Sequence, residues 1–374
     1  MINLEPFALE RYFAEHEFTA QHLLACSDCE PVTLSELLQA AGPLSLELWK
    51  DLKLGYTETM GHPLLRGAVA GMYDGIHAEN VMVAAPQECI FLTMNALLKP
   101  GDHVICTSPA YQSLHEVARG IGCEITLWTP DESRGWHFDL KEVLGALTEK
   151  TRLMVVNFPH NPTGHVPEKG DFEELIGLLR ERGVYLFSDE MYRFLEIETE
   201  APLPAACELY DRAFSLSGLS KSFGLPGLRV GWLAVRDPDL LKRISLLKDY
   251  TTICNSAPSE ILGIMALENR EEILRAQRRR LHRNLGILDL FFQEFKNFLS
   301  WNRPGGGSIA FPRLLTPEGS RVFCARLVKE CGILLAPSLL FGYGDHHVRI
   351  GFGREDLPDV VELFSEHLRS RLGW

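Results

Sequence analysis

Residues 217–231 read SGLSKSFGLPGLRVG. A single lysine, Lys221, stands among small residues, and Arg229 follows eight positions later. Pro226 fixes φ and removes a backbone donor, so the segment after Lys221 is a shaped loop and not a helix. On either side lie apolar runs, 213–217 and 230–235, that suit buried strands. A lysine delivered by a turn between two buried strands is a candidate for chemistry.

Working outward, the same alternation recurs along the chain. Apolar strands are expected at 81–84, 103–107, 124–128, 153–157 and 184–188, with helices at 87–98, 114–120, 139–147 and 172–182 between them. Leu64, Leu65, Ala68, Val69 and Met72 repeat at helical spacing after Tyr56. Strands that are nearly continuously apolar and alternate with helices indicate a mostly parallel sheet covered on both faces, an α/β fold. Ligands of such sheets gather at the carboxyl ends of the strands. A long charged helix over 270–296 and the break Pro304-Gly305-Gly306-Gly307 lead into a segment of different character, with a strand at 309–313, a helix at 317–331, strands around Leu334 and Val348 and a closing helix at 357–372. That segment suits a smaller α+β domain. Residues 1 to about 40 suit an arm and a short helix. The expected division is an arm at 1–40 contributing to the small domain, a large domain at 41–275 and a small C-terminal domain at 276–374.

The formal net charge of −13 argues against a nucleic-acid backbone or an anionic membrane as the main partner. It leaves room for a basic pocket around a small anion. The start MINLEPFALERYF carries Glu5 and Glu10 in place of an apolar run, so no signal peptide is expected. No stretch approaches the ~20 apolar residues that span a bilayer. Nine cysteines, an odd number scattered through apolar segments, suit reduced thiols and a cytoplasmic location. Cys26 and Cys29 form a lone CxxC without a second pair, and the adjacent His346 and His347 would point to opposite faces of a strand, so no metal is expected.

A lysine acts covalently by joining a carbonyl as a Schiff base, and the common stable carbonyl cofactor is pyridoxal 5′-phosphate (PLP). That cofactor demands a carboxylate for its pyridine nitrogen, donors for its phenolic oxygen, a partner for its ring face and a phosphate cradle. The strand ends supply candidates for each. SDEMY presents Asp189 and Tyr192, NFPHNPTG presents Asn161, SPAY presents Tyr111 as a stacking face, and Arg229 offers a bidentate phosphate grip. Taken singly, Asp189 suits a helix cap, the tyrosines suit half-buried core positions and the arginines suit ion pairs. Their joint order speaks against those readings.

With YTETMGHPLLRGAVAGMY, SPAY, NFPHNPTG, SDEMY, SGLSKSFGLPGLRVGW and HVRIGF in that order over residues 55–352, the chain resembles the class I/II aminotransferases, PLP-dependent enzymes of fold type I. The resemblance implies a seven-stranded large domain and a smaller α+β domain. It implies that Lys221 forms the Schiff base and shuttles a proton, that Asp189 faces the pyridine nitrogen, and that Tyr192 and Asn161 bond the phenolic oxygen. It further implies that Tyr111 stacks on the ring, that Ala85, Gln87, Ser220 and Arg229 hold the phosphate, and that Arg349 and Asn161 meet the substrate carboxylate. Tyr56 matches a tyrosine that reaches the phosphate of the neighbouring subunit, which implies a homodimer. Two positions depart from the pattern. Pro86 stands within the phosphate turn, removing one N–H, and Gly218 stands where relatives often have serine; both thin the phosphate shell.

The activity implied is amino transfer between an amino acid and a 2-oxo acid. The same machinery also serves elimination, replacement or cyclisation, and the stretch LEPFALERYFAEHEF (4–18) is similar to the capreomycidine-synthase-like branch, which cyclises a hydroxylated arginine. A non-catalytic PLP-binding regulator would carry a basic DNA-binding domain ahead of this part. Here only about 50 residues precede it, in an acidic chain.

Overall fold

A computed structural model describes residues 3–197 and 202–372. Its centre is a seven-stranded sheet built from β1 (Val81–Ala84), β2 (His103–Thr107), β3 (Glu124–Trp128), β4 (Thr151–Asn157), β5 (Tyr185–Asp189), β6 (Ala213–Gly218) and β7 (Gly231–Val235). The spatial order is β1-β7-β6-β5-β4-β2-β3. Six strands run in one direction, and β7 alone is reversed, antiparallel to both of its neighbours β6 and β1. The runs are continuously apolar because alternate side chains feed two cores: Leu153 and Val155 of β4 enter one, Met154 and Val156 the other. Only β3, at the edge, mixes exposed and half-buried positions.

Helices cover both faces. In chain order the first are α1 (Ala8–His16), α2 (Leu34–Ala40), α3 (Pro43–Lys50), α4 (Pro63–Ala70), α5 (Pro86–Leu97) and α6 (Ser113–Ile121). The helix Lys169–Arg182 packs Phe172, Leu175, Ile176 and Leu179 under the sheet, while Ile90 and Met94 of α5 join the core on the other side. The N-terminal part thus holds several short helices where one was expected. Two further helices, Pro238–Lys248 and Ala257–Glu268, were not expected.

The helix Arg270–Glu294 buries Leu281, Leu285, Leu288 and Phe291 and contacts the closing helix Leu357–Leu372. Beyond it lies a small antiparallel sheet of Ile309–Ala310, Val348–Gly351 and Ala336–Pro337. The strand expected over 309–313 breaks at Pro312, which has no N–H to give, and Arg313–Leu314 pairs instead with Leu299–Ser300. The helix expected from 317 starts at Ser320, since Pro317 and Gly319 precede its first turn.

Among the described residues no helix is long and apolar enough to cross a membrane. Cys26 and Cys29 are free thiols, and no three His, Cys, Asp or Glu side chains gather as a metal site would need among the described residues. His347 is buried, with Nε2 3.0 Å from Glu132 Oε1.

Candidate active site

The carboxyl ends of β4, β5 and β6 open into a cavity of about 450 Å³ whose lining includes Gln87, Tyr111, Asn161, Asp189, Tyr192, Ser220, Lys221, Arg229 and Arg349. A more open concavity of about 700 Å³, lined by His103, Glu124, Thr126 and Lys150, lies at the amino ends of β2 and β3. Sheets of this kind do not bind ligands at that end, so the chemistry belongs to the first cavity.

Asp189 closes β5. Its Oδ1 accepts from the Met191 N–H at 3.1 Å, and its carbonyl accepts from Asn157 Nδ2 at 2.9 Å. Asn157, the last residue of β4, takes the Asn161 N–H on Oδ1 at 2.8 Å. One amide thus braces two strand ends and sets the loop that carries Asn161. Sequence reasoning passed over Asn157, although it begins the NFPHNPTG motif. Burial pushes the Asp189 carboxyl up to about 7, and the nearby Lys221 charge only partly offsets that.

Lys221 sits three residues beyond β6, and its Nζ donates to Ser27 Oγ at 2.9 Å. Ser27 comes from an unexpected quarter. Leu9, Glu10, Phe13, Glu17, Cys26, Ser27 and Asp28 form a wall of the cavity, so the N-terminal part that sequence patterns left unanchored belongs to the site. The chain crosses the small sheet by close backbone approach. Gly351 N–H donates to Leu24 O at 2.7 Å, and a Cβ on Gly351 would lie 1.7 Å from Cys26 O. The signal in the sequence was the glycine pair flanking Phe352.

Arg349 lies in Val348–Gly351, 1% exposed. Nη2 donates to Ala25 O at 2.8 Å and Nη1 to Asn161 Oδ1 at 3.3 Å, while Nε has no partner. Phe341 lies beneath the guanidinium, 5.1 Å to the ring centre. Burial lowers its proton affinity, yet a guanidinium stays charged. A buried cation with neutral partners on a cavity wall favours a carboxylate ligand. Across the cavity Tyr111 donates to Glu10 Oε1 at 2.7 Å, and burial together with that carboxylate pushes its phenol up. Arg354 donates to Asp28 Oδ2 at 2.9 Å. Burial, then Asp28 and Glu10, raise the Glu17 carboxyl above its usual range.

The residues fit the cofactor that the resemblance implies. The hydroxyls of Tyr192 and Ser220 are buried without hydrogen-bond partners, as is Arg349 Nε, so the cavity holds donors awaiting acceptors. Asp189 is a buried carboxyl in want of a cation. The two departures have a packing cause. Gly218 pairs with Gly231, and a Cβ on Gly218 would meet Gly231 Cα at 2.9 Å and Val230 O at 3.0 Å, so serine has no room there. Pro86 occupies the first turn of α5, where an N–H has no helical partner, and its ring packs against Gly231.

Two expected residues lie elsewhere. Ala85 caps α5 and does not line the cavity, whereas its neighbours Pro86 and Gln87 do. Tyr56 is 93% exposed and outside the cavity of its own chain. Arg229 stands at the rim, exposed, in a left-handed conformation with φ 56°, its Nη1 donating to Pro226 O at 3.0 Å.

Residues 46–362 match the family model described as aminotransferase class I and II. The chain is 31% identical to capreomycidine synthase of Streptomyces vinaceus, over 96% of this chain and 93% of that one. Among solved structures it resembles a PLP-dependent aminotransferase from Streptococcus suis, with TM-score 0.92 and 32% identity over 98% of both chains. It also resembles the PLP-dependent cyclase OrfR, with TM-score 0.90 and 28% identity over 99% of this chain and 98% of that one.

Proposed function

Because the chain belongs to the class I and II aminotransferase family, whose cofactor is PLP, we propose that it moves an amino group between an amino acid and a 2-oxo acid. One observation carries the reading: a buried carboxyl (Asp189), an amine (Lys221) and a buried guanidinium (Arg349) share one cavity at the strand ends. When bound, PLP supplies an electron sink for negative charge at the substrate Cα.

The chain's own residues do the rest. Lys221 would supply the amine that holds the cofactor aldehyde, and as a free amine it would carry the proton to and from Cα. Asp189 would face the pyridine nitrogen and favour its protonated form. Tyr192 and Asn161 donate to the phenolic oxygen, and Tyr111, held by Glu10, offers its ring face. Ser220, Gln87 and Arg229 would hold the phosphate, and Tyr56 of a second copy would complete its shell. Arg349 would take the substrate carboxylate and so hold Cα in one place within the cavity.

A second reading uses the same machinery for cyclisation of an amino acid. The similarity to capreomycidine synthase and to OrfR favours it, and so do Glu10, Glu17 and Asp28. The carboxylate of Glu17, in want of a cation, suits a substrate whose side chain is positively charged. The test is a panel of amino acids with basic, neutral and acidic side chains, each with its β-hydroxylated counterpart to supply the hydroxyl that leaves as water, incubated with the PLP-loaded protein and 2-oxoglutarate. Glutamate formation establishes amino transfer. A product that keeps its amino nitrogen but has lost water establishes cyclisation. If no amino acid on the panel changes, both readings fall.

A further inference from the structure

We infer that Ser27 is a positioning residue for Lys221: its hydroxyl holds the free ε-amine on the cavity side when the amine is not bound to cofactor. The inference rests on the proposed role of Lys221. Their contact, 2.9 Å, is the lysine side chain's hydrogen bond among the described residues, and it spans 194 positions of sequence.

Ser27 is fixed from several sides. Ser308, fully buried, donates its hydroxyl to the Ser27 carbonyl at 2.7 Å. The Cys29 N–H donates to Lys221 O at 3.4 Å and the Val32 N–H to Gly224 O at 2.9 Å, so the Ser27 segment is stitched to the lysine's own loop. A Cβ at Gly224 would lie 2.2 Å from Glu30 O, and one at Gly353 would lie 2.7 Å from Asp28 O. Backbone packed this closely does not drift, and the hydroxyl is held at one place.

The chemistry of the partner matters as much as its position. A proton carrier must exist as ammonium and as amine. A carboxylate beside it would favour only the charged form. A hydroxyl accepts from an ammonium and donates to an amine, so it serves both. Asp28, next to Ser27, is engaged by Arg354 at 2.9 Å, Asp189 and Glu17 reach the lysine only through space, and the neutral Ser27 is its hydrogen-bond partner.

The test uses the cofactor-free protein and trace acetylation with acetic anhydride at fixed pH, read by mass spectrometry of the Lys221 peptide against the exposed Lys53 and Lys99. In Ser27→Ala the hydroxyl no longer donates to the amine lone pair that attacks the anhydride, and Lys221 labels up to about tenfold faster, the effect of one hydrogen bond. Ser27→Thr keeps the hydroxyl and labels as the parent does, whereas the isosteric Ser27→Val labels like Ser27→Ala. Equal labelling of the Thr and Val variants overturns the inference, even if the Ala variant does not fold. The underlying role of Lys221 is read separately, by borohydride reduction of the PLP-loaded parent. Cofactor mass on another lysine removes that role and leaves the labelling result to report on the contact alone.

Discussion

In the cofactor-free protein the Asp189 carboxyl lies near 7 because burial outweighs its one N–H donor and the Lys221 charge. Its folded value is above the ordinary 3.8, so the native state holds the proton more tightly than the unfolded chain does. The stability it contributes is full below about 4 and is lost as pH rises through 7. Melting temperatures of cofactor-free Asp189→Asn, compared with the parent from pH 5 to 8, are expected to lack that part of the decline. Lys221→Ala is expected to retain no PLP after borohydride reduction and to lose about 10³-fold in turnover. Arg349→Ala should raise KM about 30-fold for whichever amino acid the panel identifies, the loss of charged hydrogen bonds to a carboxylate. These residues were legible because each stands in or just beyond an apolar strand within a short motif. Ser27, Glu10 and Glu17 were not, since their partners lie 101 to 194 positions away where those partners are hydrogen-bonded, and no local pattern marks them.

The strands of the central sheet were legible because burial on both faces makes them uniformly apolar, a signal that needs no knowledge of neighbours. The helix Pro238–Lys248 left a local mark that went unused: Asp237 accepts from the N–H groups of Asp239 and Leu240 ahead of a first-turn proline. The helix Ala257–Glu268 left less, because it is buried nearly all round and shows little amphipathic period. The crossing of residues 24–30 over Val348–Gly351 depends on glycine at 351. Gly351→Ala places a methyl 1.7 Å from a carbonyl oxygen, so the crossing segment must shift. Thermal or denaturant melts are expected to show a loss of about 2 kcal/mol or more.

At the level of the whole molecule, Leu54, Tyr56 and Tyr250 are 84%, 93% and 90% exposed, and Thr57 Oγ1 donates to Asn255 O, which draws their segments together. Large apolar side chains left in water on neighbouring segments suit a second copy of the chain. If Tyr56 completes the neighbouring site, a Lys221→Ala chain supplies a sound Tyr56 to a partner carrying Tyr56→Ala. Mixed dimers of these two inactive variants should regain up to about half of the parent activity per dimer, since one site of two is whole. Purified mixed dimers with no activity would remove Tyr56 from the site.

Residues 24–30 cross a strand that the ribosome makes more than three hundred residues later. The helix α1 ahead of them can form early, but residues 24–30 cannot take their final place until Gly351 and Gly353 exist. The wall of the cavity is therefore among the earliest parts synthesised and among the latest fixed. A growing chain has Lys221 in hand long before it has Ser27 beside it, so the amine gains its neighbour only when the whole length of the chain has been committed to the fold.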